Sequence, residues 1–256
     1  KEYDLLLIDH PFSGEAYEHN ILIDYNRYMS AEELQIRQEQ ELGKTHRCYN
    51  YNGKQMALSV DIAAMVSAYR ADLLEARGIP VPGSLDEVIE LAGRTGKVAA
   101  TLGPTDIWCI FLSLGAARSG QDFITEKGLH PEHATWAVDR LNDLYRSVIP
   151  ESICYNPIML MDRMSQTDSI WYAPFCFGYV NYAWRNRKHP ISFADAPFWD
   201  GAETSGILGG VGMAVSASSP HIDAAVRYAE YVTRPDVQEN EYFLSGGQPG
   251  QKDAWM

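Results

Sequence analysis

Apolar and polar positions along this chain switch repeatedly between a two-residue and a helical period. Residues 3–8, "YDLLLI", form a short apolar run closed by "DHPFSGE", the pattern of a buried strand that delivers a loop at its carboxyl end. A helix is predicted over 14–25. Asn52-Gly53 is a turn signal, and 55–60 and 64–69 read as two strands. "RADLLEARGIPVPGSLDEVIELAGRTG" then holds two short helices split by "GIPVPG", with Ser84 and Glu87 spaced as a capping box. "KVAATLG" reads as a strand and "PTDIWCIFLSLGAARSG" as a helix whose first turn carries Asp106 and Trp108. Over 132–148, Trp136, Leu141, Leu144, Tyr145 and Val148 recur at helical spacing. "DSIWYAPFCFGYVNYAW" runs from a strand into an aromatic loop, and "ILGGVGMAVS" is a further strand. "SPHIDAAVRYAEYVT" is a helix with Ser219 at the N-cap and Pro220 at N1, and a shorter helix follows in 234–245. Alternating strands and helices predict an α/β fold with largely parallel sheets.

Length and charge narrow the functions open to such a fold. A chain of 256 residues can form one large domain or two small ones. No apolar run approaches the roughly 18 residues that a membrane helix needs. A net charge of −13 repels phosphate backbones, so nucleic acid is not an expected partner. Cys48, Cys109, Cys154 and Cys176 form no C-x-x-C pair, which removes zinc-ribbon and thioredoxin-type readings. They read as small core residues, with one disulfide left open. The opening "KEYDLLLID" shows no secretory leader, which leaves a cytosolic chain or one whose precursor starts earlier.

The three glycines of "ILGGVGMAVS" suggest a phosphate loop, but such a loop needs glycines directly before a helix. Here a strand follows them and the next helix starts only near Pro220. Tight backbone packing and close approach of a ligand or hinge both remain open for Gly209, Gly210 and Gly212. Phe175, Phe177, Tyr179, Tyr182 and Trp184 crowd into ten positions past a strand end, where open α/β sheets bind ligands. Each ring alone reads first as core; the cluster with Gly178 and Asn181 favours at least one site contact. Asp9-His10 and Asp61 follow strands and supply acid–base groups, although capping and hydrogen bonding explain such residues equally well. No G-x-S-x-G, H-E-x-x-H, Walker or G-x-G-x-x-G motif stands in a usable context.

Taken in order, three blocks resemble the extracellular solute-binding proteins of ABC importers, in the maltose-binding-protein-like sugar family 1. They are "YDLLLIDHPFSGEAYEHNIL", "YNGKQMALSVDIAAMVSAYRADLLEARGIPVPGSLDEVIELA" and "ILGGVGMAVSASSPHIDAAVRYAEYVTRPDVQ". Ser59 stands where that family usually has Pro. The resemblance implies a type II periplasmic-binding-protein fold of two hinged lobes, the first built from 1–97 plus 209–256 and the second from 98–208. The first lobe is expected to be incomplete, lacking at least one βαβ unit of roughly 30 residues before residue 1 and further helices after the end. By matched position the ligand contacts are Asp9, His10, Asp61, Trp108, Phe177, Tyr179, Gly210 and Gln248. No catalytic residue, cofactor or metal is implied. The implied partners are a small polar solute, a carbohydrate first, and the membrane subunits of an ABC permease. A periplasmic or membrane-anchored extracellular location follows, with self-association through the incomplete lobe. The rival readings are a cytosolic sugar-active enzyme using Asp9 or Asp61, and a binding-incompetent fragment acting as an interaction module.

Overall fold

The strand in the first apolar run, Leu5–Asp9, packs partly buried side chains on both of its faces, Leu5 on one and Leu6 and Ile8 on the other, because alternate side chains point to opposite sides of a pleated sheet, while Leu7 stays exposed. The computed structural model describes residues 2–119, 123–199, 202 and 206–256. The chain forms two units, Lys1–Ala63 with Leu208–Met256, and Ala64–Ile207.

In the first unit, Val211–Val215 lies between Leu5–Asp9 and Leu58–Ser59, antiparallel to both, with Leu7 opposite Met213 and Met213 opposite Leu58. Leu5, Leu58, Met213 and Val215 pack with Ile23, Tyr25, Met29 and the Ala225, Val226 and Ala229 stripe of helix Ile222–Val232. Leu6, Ile8 and Ala214 pack on the other face with Ala16, Leu22, Tyr49, Met56 and Ala57. Helix Ala31–Glu39 starts at a full capping box, in which Ser30 and Glu33 satisfy each other's backbone amides. Asn52 and Gly53 take φ values of +49° and +80° and join strands Asn50–Tyr51 and Lys54–Gln55, as the Asn-Gly signal predicts.

In the second unit, Met65–Tyr69 lies between Tyr172–Phe177 and Ser192–Asp195, again antiparallel to both. Helices Leu85–Thr95, Pro104–Ser119 and Pro131–Ser147 cover one apolar cluster, while helix Pro157–Gln166 supplies Leu160, Met161 and Met164 to another. Arg70, 1% exposed, donates to the carbonyls of Met164 and Thr167 at 3.0 Å and to the carboxylates of Asp72 and Asp168. A buried guanidinium is tolerated because each of those donors has an acceptor.

Several expectations change. The ladders are antiparallel rather than parallel; Val98 opposite Tyr172 is a parallel bridge, all that the "KVAATLG" strand amounts to. The first unit sends the chain out through Leu58–Ser59 and takes it back through Val211–Val215, so these neighbours must run in opposite directions. Helix–strand alternation along a sequence does not fix that direction. Residues 64–97, expected in the first lobe, belong to the second unit, since Met65–Tyr69 pairs there and Leu85, Val88 and Leu91 join its core. The helix expected over 14–25 is shorter, Ser13–Glu18. The Leu85–Thr95 helix has Ser84 as N-cap, but Glu87 reaches back to the amide of Gly83, so the box is half formed. Ser219 accepts from His221 and precedes the helix, whose N-cap is His221. The last expected residue of the 104–120 helix, Gly120, lies outside the described residues. All four cysteines are free, Cys176 buried and Cys154 exposed.

The glycine pattern resolves into packing of two kinds. Gly210 has φ +107°, and a Cβ there would stand 2.2 Å from the carbonyl oxygen of Asp61. A Cβ on Gly212 would meet the Tyr49 ring at 2.7 Å and Ala57 at 2.8 Å. Gly209 and Ala63 exchange hydrogen bonds of 2.7 and 3.2 Å, so the two strands that enter and leave the first unit are laddered together. Gly210→Ala should lower the free energy of unfolding by about 2 kcal/mol or more, because strain and backbone collision act together. Gly93→Ala, in a helix interior where the added carbon meets nothing, should instead raise it by about 0.5–1 kcal/mol. Denaturant titration of both variants checks the contrast, and equal effects would remove the claim of strain at Gly210.

Candidate functional site

The carboxyl end of Leu5–Asp9 turns directly into His10–Phe12, which leaves Asp9 exposed and His10 half-buried. The His10 ring stands edge-on to Tyr49, with centroids 6.4 Å apart. Burial lowers the pKa of His10 against the opposing charge of Asp9, which favours the neutral ring. Tyr49 ties this corner together: its hydroxyl donates to the carbonyls of Ile8 (3.1 Å) and Gly210 (3.3 Å). Burial, with smaller contributions from Cys48, Asp9 and Asp61, pushes its pKa well above the usual phenol range.

Asp61 lies on the backbone against which Gly210 is pressed, and accepts from the Tyr242 hydroxyl at 3.2 Å. Tyr242 arrives on a π-helical turn, Gln238–Tyr242, that widens the short helix after Pro235. Asp9, His10, Asp61 and Gly210 therefore meet in the first unit, around two tyrosines that no sequence period singles out. Gln248 is placed differently: its side chain is 4% exposed and donates to the Ile62 carbonyl at 2.7 Å, while Ile62 donates back to the Gln248 carbonyl. It supports the Asp61 segment from beneath.

In the second unit, Trp108 sits in the first turns of Pro104–Ser119 and is 53% exposed. Phe111, one helical turn on, stacks under it at 5.1 Å with rings 27° apart, and Phe123 packs edge-on to Phe111 at 5.6 Å. A bulge precedes the aromatic loop, within strand Tyr172–Phe177. Pro174 has no amide hydrogen to give the ladder and Phe175 takes φ +48°, where the register to Val66 and Ala68 shifts. Phe177 falls in with the cluster that holds Phe111, and Tyr179 with the cluster on helix Pro157–Gln166. The second unit thus gathers Phe177 with the neighbours of Trp108 and leaves Tyr179 among other residues.

Asp106, which the sequence marked only as a first-turn residue, is the chemical counterpart of Asp61. Burial raises both carboxyls to about 6, against the Tyr242 hydroxyl and Gln248 amide at Asp61 and against its own backbone amide at Asp106. Among the described residues no three His, Cys, Asp or Glu side chains stand close enough to hold a metal ion.

For Asp61 the folded-state value exceeds the ordinary 3.8, so the folded chain holds the proton more tightly than the unfolded one. Ionisation then costs stability; the penalty is absent well below pH 4 and complete above about pH 6, and amounts to at most about 3 kcal/mol. Asp61→Asn, which keeps an acceptor for Tyr242, should raise the thermal midpoint at pH 7 and leave it unchanged near pH 3.5. Equal shifts at both pH values would mean that the Asp61 charge carries no such cost.

The chain matches the family described as bacterial extracellular solute-binding protein over residues 2–254. By sequence, no curated protein matches it. Among solved structures it is similar to maltose-bound MalE3 of T. maritima, with TM-score 0.82 and 21% identity over 99% of this chain and 68% of that one. A solute-binding protein of Thermotoga lettingae bound to α-D-tagatose gives TM-score 0.79 at 19% identity, over 98% and 68%. One of Agrobacterium radiobacter in complex with ribitol gives 0.78 at 20%, over 98% and 67%. The chain spans about two thirds of the length of these structures, and the likeness gives it their periplasmic-binding-protein fold. No helix among the described residues is long and apolar enough to cross a membrane. With fold and family profile in agreement over nearly its whole length, the chain belongs to the bacterial extracellular solute-binding proteins.

Proposed function

We propose that the protein is the substrate-binding component of an ABC importer and captures a small polyhydroxylated solute, a carbohydrate or polyol. The observation that carries this reading is Trp108, a large ring left half open while Phe111 braces it from below, the form of a stacking platform for a sugar ring. Asp9, His10, Asp61 and Gly210 offer hydroxyl-binding chemistry in the first unit, and in the second Phe177 extends the aromatic surface of Trp108 while Tyr179 offers a separate ring. Relatives of the same fold were solved with maltose, α-D-tagatose, ribitol and D-mannitol. The family binds solutes and does not transform them, so Asp9 and Asp61 act as hydrogen-bond acceptors and not as an acid–base pair. In this reading the loaded protein works outside the cytoplasmic membrane, in the periplasm or anchored to the cell surface, and delivers its solute to the membrane subunits of a permease.

Leu5–Asp9 is the outer strand of its sheet and Leu7 is 61% exposed, which supports self-association through that edge. Sedimentation velocity should show a concentration-dependent dimer; a monomer at every concentration removes this part of the reading.

Tryptophan fluorescence and thermal shift against a panel of sugars and polyols test the main reading: a saturable response with no product is expected. Trp108→Ala and Tyr179→Ala should each weaken that binding by about 1 to 3 kcal/mol. A folded variant with unchanged affinity takes its ring out of the site.

A further inference from the structure

Between Asp9 and Leu22 the chain passes from one end of the first unit's sheet to the other. Asp9 stands opposite Val211, whereas Leu22 bridges to Ser216, one residue past the Leu5–Val215 pair, and Ala217 donates to the Ile21 carbonyl at 2.9 Å. This far end holds a cavity of about 250 Å³, lined wholly from the first unit. None of Asp9, His10, Asp61 and Gly210 lines it. The length of the strand puts it on the order of 15 Å from Asp9.

The cavity has an apolar floor and a cationic wall. Leu22, Ile23 and Met56 are buried beneath it, and Ile222, the first residue of its helix, closes one side. Tyr17 and Tyr28 supply rings, Tyr28 with 41% of its surface exposed. Arg27 and Lys54 line the same space, and neither enters an ion pair among the described residues. The Lys54 ammonium lies over the Tyr17 ring, 4.7 Å from its centroid.

Asp24 is the one acid in the lining, and its Oδ1 is already engaged. It accepts from the backbone amide of Asn26 (3.1 Å), the Asn26 side chain (2.7 Å) and the backbone amide of Gln55 (3.1 Å). Asn26 also donates to the Gly53 carbonyl at 3.0 Å, so the turn that carries Arg27 and the hairpin that carries Lys54 are tied to each other. The two cations are thus held on one cavity by a fixed backbone. An arginine fork and a lysine are the groups that ordinarily take a carboxylate, and an apolar floor beside them suits a ring. The net charge of −13 opposes anions at long range, but at about 0.1 M salt that field is screened beyond roughly 10 Å, so the groups in the cavity decide.

We propose that this cavity is a second binding site and takes a small aromatic carboxylate, its ring on the apolar floor beside Tyr17 and Tyr28 and its carboxylate held by Arg27 and Lys54. The site is separate from the candidate solute contacts and does not depend on which solute they take.

The test titrates benzoate, benzamide, benzylamine and cyclohexanecarboxylate at pH 7.5, with calorimetry for affinity and amide chemical shifts for location. Benzoate should saturate, move the amides of residues 20–24, Lys54 and Ala217, and bind about ten-fold or more tighter than benzamide. Benzylamine should be silent and cyclohexanecarboxylate weaker than benzoate. Benzamide or benzylamine binding as tightly as benzoate overturns the role of the cations, and equal binding of cyclohexanecarboxylate overturns the choice of an aromatic ring. No shift at those amides with millimolar benzoate overturns the site. In the Arg27→Gln, Lys54→Gln double variant, shown to be folded by circular dichroism, benzoate should fall to the affinity of benzamide. An affinity unchanged from the parent protein would show that these two side chains do not hold the carboxylate.

Discussion

The return of the chain into the first unit depends on one close approach of backbone to backbone. The backbone at Gly210 lies so near the Asp61 carbonyl that any side chain would overlap it, and the Gly209–Ala63 ladder fixes the register beside it. From that contact the rest of the corner follows. The carbonyl of Gly210 is presented to the Tyr49 hydroxyl, which also holds the end of Leu5–Asp9 through Ile8, and so fixes where Asp9 and His10 emerge. Gly212, two residues on, leaves room for the same tyrosine ring. A phosphate loop uses glycines to expose amides to a ligand; this segment uses them to bring two stretches of main chain into contact, and the chemistry stands on the side chains around it.

The second unit reaches its aromatic surface by a different device. Pro174 and the left-handed Phe175 break the ladder at its edge, and the residues after them no longer follow the alternation of the strand before. Arg70 then ties Met65–Tyr69 to the end of helix Pro157–Gln166, with its charge answered on every side. The rigid support lies in strands and helices, while Trp108 and Phe177 stand where those elements begin or end. Rings at element ends combine fixed position with exposure, which rings in the middle of a strand lack.

Much of this was legible in the sequence where the signal is local. The amphipathic period of 131–147, the Asn52-Gly53 hairpin and the order of glycines and helix in the return segment each depend on neighbours a few residues apart. The boundary between the units was not, because Met65–Tyr69 finds its partner strand about a hundred residues later, and nothing in residues 64–97 announces that pairing. Strand direction failed for the same reason. Tyr49 and Asp106 escaped notice because one sits in a polar, aperiodic stretch and the other looks like an ordinary first-turn acid; only burial without a cation distinguishes Asp106 from such an acid. The aromatic cluster was visible as composition, but the bulge at its start is a backbone event at a Pro-Phe pair that composition does not encode.

The distribution of the four thiols has a practical consequence. Burial holds Cys48 and Cys176 up at about 12 and raises Cys109 as well, so at neutral pH these three present almost no thiolate to a reagent. Cys154 alone is exposed. It ends the Pro150–Cys154 turn, directly before Tyr155, whose carbonyl lies against Gly103 at the start of the Trp108 helix. The native chain therefore carries its own single attachment point for a fluorophore or spin label, close along the fold to the tryptophan platform, without any cysteine having to be added or removed.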